Sequence, residues 1–377
     1  MAFSDPPLTV PNGTPPPSKA NGRLARLVAS PAFQRWAART PVVRRFARRD
    51  GEALFDLLAG FCHTQALTAL IELDVLTCLA GGPATIDDVS RRCRVPPDRM
   101  RVLLRAGDAI GLLRRSRGRY RLSTRGAALS GVPGLAGMIR HNAILYRDLA
   151  DPAAFFRGET QTEMAGFWPY VFGAGAAADP ETAERYSQVM AESQTLVADE
   201  VLSAVSLSGA RHLMDVGGGI GVFLDAVGAA YPDLKRTLFD LPPVISAARR
   251  RFSAIDVTLI AGSFRDDPLP EGADAISLVR ILFDHSDATV RALLARVYAA
   301  LPAGGRVIVA EPMGRDAQAA RPADAYFALY TLAMGTGRTR TVEEVSALLA
   351  EAGFERITAP RVRRAFVTRV VAGQKSS

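Results

Sequence analysis

"RHLMDVGGGIGVFLDAVGAAYPDLKRTLFDLPPVI", Arg211–Ile245, decides the fold. "RHLMDVG" reads as a strand that carries Asp215 near its end. Gly217, Gly219 and Gly221 follow as a G-x-G-x-G turn, "VFLDAVGAAY" is a helix, and "RTLFDL" is a second strand. Strand, glycine turn, helix, strand is the opening unit of a doubly wound α/β sheet. The glycines let the backbone turn sharply and let a nucleotide-sized ligand approach it closely. A dinucleotide fingerprint needs a glycine three positions after Gly219, where Val222 stands, so no pyrophosphate grip is expected. Asp240 ends the second strand about 20 residues beyond the turn, where an acid can accept both hydroxyls of a ribose.

The alternation continues outward. "VTLIAG", "AISLVRIL" and "RVIVAE" read as strands; "VISAARRRF", "ATVRALLARVYAAL" and "TVEEVSALLAEAGF" read as helices, and "RAFVTRVVAG" closes the chain. A parallel doubly wound sheet covered by helices is expected over residues 206–377. Ser263 and Phe264, after the third strand, stand where an adenine edge and face would lie. A nucleoside without pyrophosphate points to S-adenosylmethionine.

Upstream, Pro83–Leu129 reads as helix, turn, helix, β-hairpin, a winged-helix pattern. Thr85 caps the first helix and Asp98 the second, and the hairpin turns at Gly118. Residues 131–205 are a helical connector. Their aromatics, Phe155, Phe156, Phe167, Trp168, Tyr170 and Phe172, fit a pocket lining or an interdomain core equally, and a long helix capped at Asp179 follows. Leu54–Ala80 is apolar but carries Asp56, His63, Glu72 and Asp74, which suits core helices better than a transmembrane span. Residues 1–50 form a separate segment. Residues 1–20 are proline-rich and expected to be disordered, and Lys19–Arg49 holds eight arginines without an acid. That run is either an arginine-rich solvated helix that packs on its own protein or a dimer mate, or a basic patch that touches anionic membrane through residues 19–49. No uninterrupted apolar signal core opens the sequence, so a cytoplasmic protein is expected, peripheral on the inner or photosynthetic membrane if the basic patch binds there. The three cysteines, among 377 residues of net charge +8, form no C-x-x-C, so neither a disulfide framework nor a metal site is expected.

The chain resembles the S-adenosylmethionine-dependent O-methyltransferases of the acetylserotonin and plant caffeate type. The resemblance rests on "ALIELDVL" (69–76), "PDRMRVLLRA" (97–106), "MDVGGGIG", "LFDLPPVI", "AGSF", "LVRILFDHSD" (278–287), "GGRVIVAEPM" (304–313) and "GRTRTVEEVSALLAEAGF" (337–354), and covers the chain from about Leu54 to its end. Within that group, "LFDLLAGF", "RFARRDGEALFDL" and "VRILFDHSD" resemble the bacterial carotenoid hydroxyl methyltransferases, of the demethylspheroidene or hydroxyneurosporene kind. The resemblance implies a Rossmann-like catalytic domain behind a winged-helix dimerisation domain (51–130), hence a homodimer. It assigns S-adenosylmethionine to Asp215, Gly217, Gly219, Gly221, Asp240, Leu241, Ser263, Phe264 and Arg280. Ser263 stands where the family often has an acid.

The departures bear on substrate. Phenol-methylating relatives carry a histidine base where Phe283 stands here, and His285 takes the place of a tryptophan. The family's lysine falls on Val279. Of its two base-orienting glutamates, one matches Glu311 and the other falls on Thr339. A histidine suits a phenol of pKa near 10 but cannot fully deprotonate an aliphatic alcohol, whose proton can leave late as the C–O bond forms. The expected acceptor is a hydrophobic small molecule, the tertiary 1-hydroxyl of an acyclic carotenoid, with a phenolic or polyketide metabolite as the alternative. Phe283, Met190 and Met334 are expected to line its pocket. His285, Asp284 or Glu311 is expected to take the proton. His63, His141 and His212 read as structural. A winged-helix DNA-binding regulator with a sensing domain is the rival of another class, although no nucleic acid is expected. A nicotinamide oxidoreductase is disfavoured by Val222.

Overall fold

The computed structural model describes residues 19–167, 180–252, 257–315 and 321–376. Three helices open it: α1 (Lys19–Val28), α2 (Pro31–Arg39) and α3 (Pro41–Glu72). Next come α4 (Val75–Ala80), α5 (Ile86–Cys93), α6 (Pro97–Ala109) and the hairpin strands β1 (Leu113–Ser116) and β2 (Arg119–Leu122). This is the expected winged-helix order. Thr85 caps α5 in a reciprocal capping box with Asp88. Asp98 does not cap α6. Pro96 takes that position and Pro97 begins the helix, because proline's missing N–H costs nothing in a first turn. This unit packs its own core around Leu70, Val75, Val89, Met100, Leu104, Leu113 and Tyr120.

The expectation of core helices fails for the first part of Leu54–Ala80. Leu54, Phe55, Leu57, Leu58 and Phe61 are each about two-thirds exposed or more on the chain alone. By length and composition, Val43–Glu72 could cross a bilayer. Helical periodicity gave the face correctly and could not say what covers it.

Helices α7 (Thr124–Gly131), α8 (Leu135–Asp148), α9 (Pro152–Phe156), α10 (Glu163–Phe167) and α11 (Pro180–Ala204) connect to the sheet. The cap expected at Asp179, residues 1–18, and Trp168, Tyr170 and Phe172 lie outside the described residues. The catalytic half then runs β3 (His212–Val216), α12 (Val222–Ala230), β4 (Lys235–Asp240), α13 (Pro242–Arg251), β5 (Val257–Ala261), β6 (Ala275–Val279), α14 (Asp287–Ala300) and β7 (Arg306–Glu311). After it come β8 (Met313–Gly314), α15 (Ala328–Met334), β9 (Arg340–Thr341), α16 (Val342–Glu351), β10 (Glu355–Thr358) and β11 (Arg369–Gln374).

The sheet order is β10-β11-β7-β6-β3-β4-β5. Its five central and outer strands are parallel, but β11 lies antiparallel to β7, and β10 to β11. The sheet is therefore mixed, and only Arg369–Gln374 of the expected final segment is strand. Successive strand residues supply opposite cores. Met214, Phe239, Ile276 and Val307 pack under α14 and α16. Leu213, Leu238, Ala275 and Ile308 pack under α11, α12 and α13. The strand order reverses between β3 and β6, and ligands bind such sheets at that crevice.

Gly221 adopts φ 82° and begins α12, and a Cβ there would lie 2.3 Å from the Phe252 ring. Gly221→Ala is expected to cost about 2–3 kcal/mol from left-handed strain plus the clash. Thermal unfolding read by circular dichroism should show the Tm fall by several degrees; an unchanged Tm would contradict this packing.

Candidate active site

Asp215 is fully buried at the end of β3, and its Oδ1 accepts the Ser277 hydroxyl of β6 at 2.6 Å. One hydrogen bond thus crosses the crevice. Its Oδ2 has no hydrogen-bond partner among the described residues. Burial, and then the charge of Asp240, raise the Asp215 carboxyl to about 7. Asp240 accepts the backbone N–H of Gly219 at 2.8 Å and that of Leu241 at 2.7 Å, and burial raises it to about 6. A Cβ on Gly217 would meet Ile281 at 2.4 Å, and one on Gly218 would meet Asp215 at 2.2 Å. A Cβ on Gly219, where φ is 61°, would meet nothing within 4 Å. The glycine turn is closed below and open at Gly219.

Ser263 is buried and turned inward: its N–H donates to Asp267 and its hydroxyl to Asp266. Phe264 packs edge-on against His285, ring centroids 5.2 Å apart. The strand expected to reach Leu282 stops at Val279. Arg280 takes a left-handed φ of 59°, which ends the pleat, and Leu282–Asp284 forms a 3₁₀ turn. The Arg280 guanidinium donates to the Ser193 hydroxyl of α11 at 2.7 Å.

His285 is 6% exposed. Its Nδ1 lies 2.9 Å from the Arg265 guanidinium. Arginine has only donors, so Nδ1 accepts and its lone pair is committed. Burial, then the charges of Arg265 and Arg340, push the imidazole down to about 3. This arrangement argues against His285 as the base. Between its two aspartate neighbours in sequence, the ring meets a cation instead of a carboxylate, because the turn sends Asp284 and Asp287 elsewhere.

Arg340 explains that turn. Its side chain is fully buried. Nη1 donates to the Leu282 carbonyl at 2.7 Å, Nη2 to the His285 carbonyl at 2.8 Å, and Nε and Nη2 to Asp287 at 3.0 and 2.7 Å. Glu311, fully buried at the end of β7, accepts the Phe283 N–H at 3.1 Å, while its Oε1 has no partner among the described residues. Burial raises Glu311 to about 7 against the opposing pull of Arg340. Asp284 is only partly buried as a residue, and its carboxylate makes no hydrogen bond among the described residues. Burial and the Glu311 charge raise it well above the usual range, and Arg280 pulls it down.

Phe283 faces aromatic neighbours, with Phe327 edge-on at 6.3 Å and Tyr326 packing on Phe327 at 5.0 Å. The Tyr326 hydroxyl donates to Asn142, and the Tyr330 hydroxyl pairs with His141 at 2.8 Å. Met334 is buried with Met164, Phe155 and Tyr330. A π-helical stretch, Arg321–Phe327, leads into α15; such widened turns recur at functional sites. The Met190 side chain lies outside the described residues. The sequence reading did not single out Arg265, Arg340 or Tyr326; His141, expected to be structural, pairs with Tyr330. Arg340 lies within "GRTRT", but one arginine among many carries no burial signal. His212 is structural, bonded to Gly272 and Thr237.

This chain belongs to the O-methyltransferase family. The O-methyltransferase domain matches residues 146–355, and the O-methyltransferase dimerisation domain matches residues 55–130. It is 54% identical over 351 residues to the demethylspheroidene O-methyltransferase of Cereibacter sphaeroides, covering 91% of this chain and 93% of that protein. It is 48% identical over 352 residues to the enzyme of the same name from Rhodobacter capsulatus, covering 93% and 89%. Among solved structures, human N-acetylserotonin methyltransferase in complex with S-adenosylmethionine superposes with a TM-score of 0.70 at 26% identity, over 87% of this chain and 98% of that one.

Two outcomes test the site. Arg340→Met removes the fork from two carbonyls and a carboxylate and should cost about 3 kcal/mol, read by urea denaturation. Arg340→Lys, which keeps the charge, should recover only part of this; full recovery would show that charge alone holds the turn. The second outcome concerns pH. Between about pH 4 and 7 the folded protein holds protons on Asp215 and Asp240 that the unfolded chain has released, so the free protein loses stability as pH rises through that window. A ligand that needs these carboxylates ionised must expel the protons. Calorimetric affinity for S-adenosylhomocysteine should therefore weaken as pH falls from 8 to 5, with net proton release on binding near pH 6. A flat profile would remove both carboxylates from the ligand site.

Proposed function

We propose that this enzyme transfers a methyl group from S-adenosylmethionine to the tertiary 1-hydroxyl of an acyclic carotenoid of the demethylspheroidene type. The observation that carries the reading is Phe283, an apolar ring in a wall of aromatic side chains at the position where phenol-methylating relatives hold a base. The two relatives of highest quoted identity bear the name of that reaction.

The residues fit the cofactor. Asp240 accepts from ribose hydroxyls above the open face of Gly219, with Leu241 beside it. Phe264 and His285 make the adenine side, and Ser263, whose hydroxyl is already spent on Asp266, contributes only backbone and shape. Asp215, Gly217, Gly221 and Arg280 serve the amino-acid end, where the unpartnered Oδ2 of Asp215 can accept from an ammonium group. When bound, S-adenosylmethionine would supply a methyl on a sulfonium; the acceptor oxygen would take that carbon in line as the C–S bond breaks and S-adenosylhomocysteine leaves.

The protein's own contribution is position. Phe283, Phe327 and Met334 exclude water and hold an apolar chain, and correct placement alone supplies several kcal/mol. Met190 is assigned to the same pocket. Asp284 takes the proton late, as the acceptor oxygen becomes acidic. Of the three candidates it is the residue that is not buried as a whole and whose side chain makes no hydrogen bond among the described residues. Burial and the charge of Glu311 raise the Asp284 pKa above the usual carboxylate range, which strengthens it as a proton acceptor when ionised. Glu311 holds the Phe283 backbone in place.

The division at 1–50, 51–130, 131–205 and 206–377 is ours, with residues 51–130 pairing two copies into a homodimer. The enzyme is assigned to the cytoplasmic side of the membrane, with contact through residues 19–49. No nucleic-acid partner is assigned to the winged helix; salt-sensitive binding to duplex DNA would reopen the regulator reading.

Labelled S-adenosylmethionine offered with 1-hydroxylated acyclic carotenoids, and separately with catechols, tests the substrate. Label should enter the carotenoid; label in phenols alone overturns the assignment. Asp284→Asn should lower kcat by about 10²–10⁴ and His285→Ala by less than about tenfold, with S-adenosylhomocysteine binding retained by the first. The reverse order would return the base role to His285.

A further inference from the structure

Helices α1 and α2 and the first turns of α3 precede residue 55, where the match to the dimerisation domain begins. Their eight arginines are all exposed, and between Lys19 and Arg49 there is no acid. The apolar residues recur at three and four, in Leu24–Leu27–Val28 and Phe33–Trp36–Ala37. Of these 31 residues, only Ala37 is buried among the described side chains, while Leu27 and Trp36 are each 52% exposed and Phe46 is 65% exposed. Isolated helices this short are marginal in water unless an apolar face is covered. An arm that buries one alanine lacks such a cover in its own chain.

Charge selects the cover. A two-fold pairing of two such arms would set arginines against arginines. An anionic bilayer offers phosphates to the guanidinium groups and an acyl boundary to the rings and aliphatic side chains between them. Arginine stems lie along apolar surface while their heads reach the phosphates, and tryptophan concentrates at that depth. We propose that Lys19–Arg49 is an interfacial arm that docks the enzyme on anionic lipid, with Trp36 and Phe46 entering the boundary and the arginines holding headgroups. This specifies the membrane contact assigned above. It uses no feature of the catalytic crevice, so it stands or falls separately from the methyl-transfer reading.

The test uses the full chain and no acceptor. Vesicles of phosphatidylcholine mixed with phosphatidylglycerol should sediment the protein, high salt should release it, and pure phosphatidylcholine should leave it in solution. The chain has two tryptophans, Trp36 and Trp168. Emission should shift to the blue on binding in the wild type, and that shift should be absent in Trp36→Phe. Replacing Arg23, Arg26, Arg35 and Arg39 together by glutamine should weaken binding at least about a hundredfold, since each arginine near an anionic surface contributes about fivefold. Absence of sedimentation by the wild type, binding unchanged in the glutamine variant, or a blue shift that persists in Trp36→Phe would each overturn the proposal. Loss of dimer mass in the glutamine variant, without vesicle binding by the wild type, would assign the arm to the second copy instead.

Discussion

The fork of Arg340 is the contact on which the catalytic loop depends. A strand that ends in a left-handed arginine and a 3₁₀ turn leaves carbonyls facing inward, and a buried carbonyl without a donor is costly. Arg340 answers two of them, at Leu282 and His285, and closes on Asp287 where α14 begins. The segment that carries it is pressed against the same loop. Thr336 donates to the Asp284 carbonyl, and a Cβ at Gly337 would sit 2.1 Å from the Phe283 carbonyl. The short pairing of β8 with β9 ties this segment to the chain just past β7, whose last residue, Glu311, accepts the Phe283 N–H. The turn is fixed by two buried side chains that bond its backbone, Arg340 at two carbonyls and Glu311 at the Phe283 N–H.

That fixation sorts three neighbouring side chains. Phe283 is turned to the aromatic wall, Asp284 lies among the charges of Glu311 and Arg280, and His285 meets Phe264 and Arg265. The same loop in a phenol methyltransferase would present an imidazole to the acceptor. Here it presents a ring that can only exclude water and pack, and the proposed reaction assigns the proton to the Asp284 carboxylate beside it. A late proton transfer from an alcohol needs no stronger group. The chemistry thus follows from where the chain turns, more than from which titratable residues it contains.

The sheet could be read in the sequence because burial there is periodic. Each strand runs apolar over four to six residues, each helix repeats at three and four, and the G-x-G-x-G turn can only open such a sheet. The placement of Asp215 and Asp240 at or next to strand ends could be read for the same reason. The antiparallel β11 was hidden because an edge-ward strand direction leaves no mark in composition. The surroundings of the His285 ring were hidden because neighbours along the chain are not neighbours in space. Asp284 and Asp287 flank it by one and two residues, but a 3₁₀ turn rotates each side chain far from the last, and Arg265, twenty residues earlier, becomes its neighbour. Arg340 and Tyr326 were unreadable because their roles come from burial and long-range contact. The exposed face of α3 was misjudged because an apolar stripe shows that something covers it, without saying whether its own chain does.

Nitrogen-15 spectroscopy of the His285 ring, followed from pH 8 to 5, tests the central claim that this loop holds a histidine with a committed lone pair in place of a base. The account predicts a neutral ring throughout, protonated at Nε2 with Nδ1 accepting from Arg265. A ring that becomes imidazolium near pH 6.5, or that carries its proton on Nδ1, would contradict it.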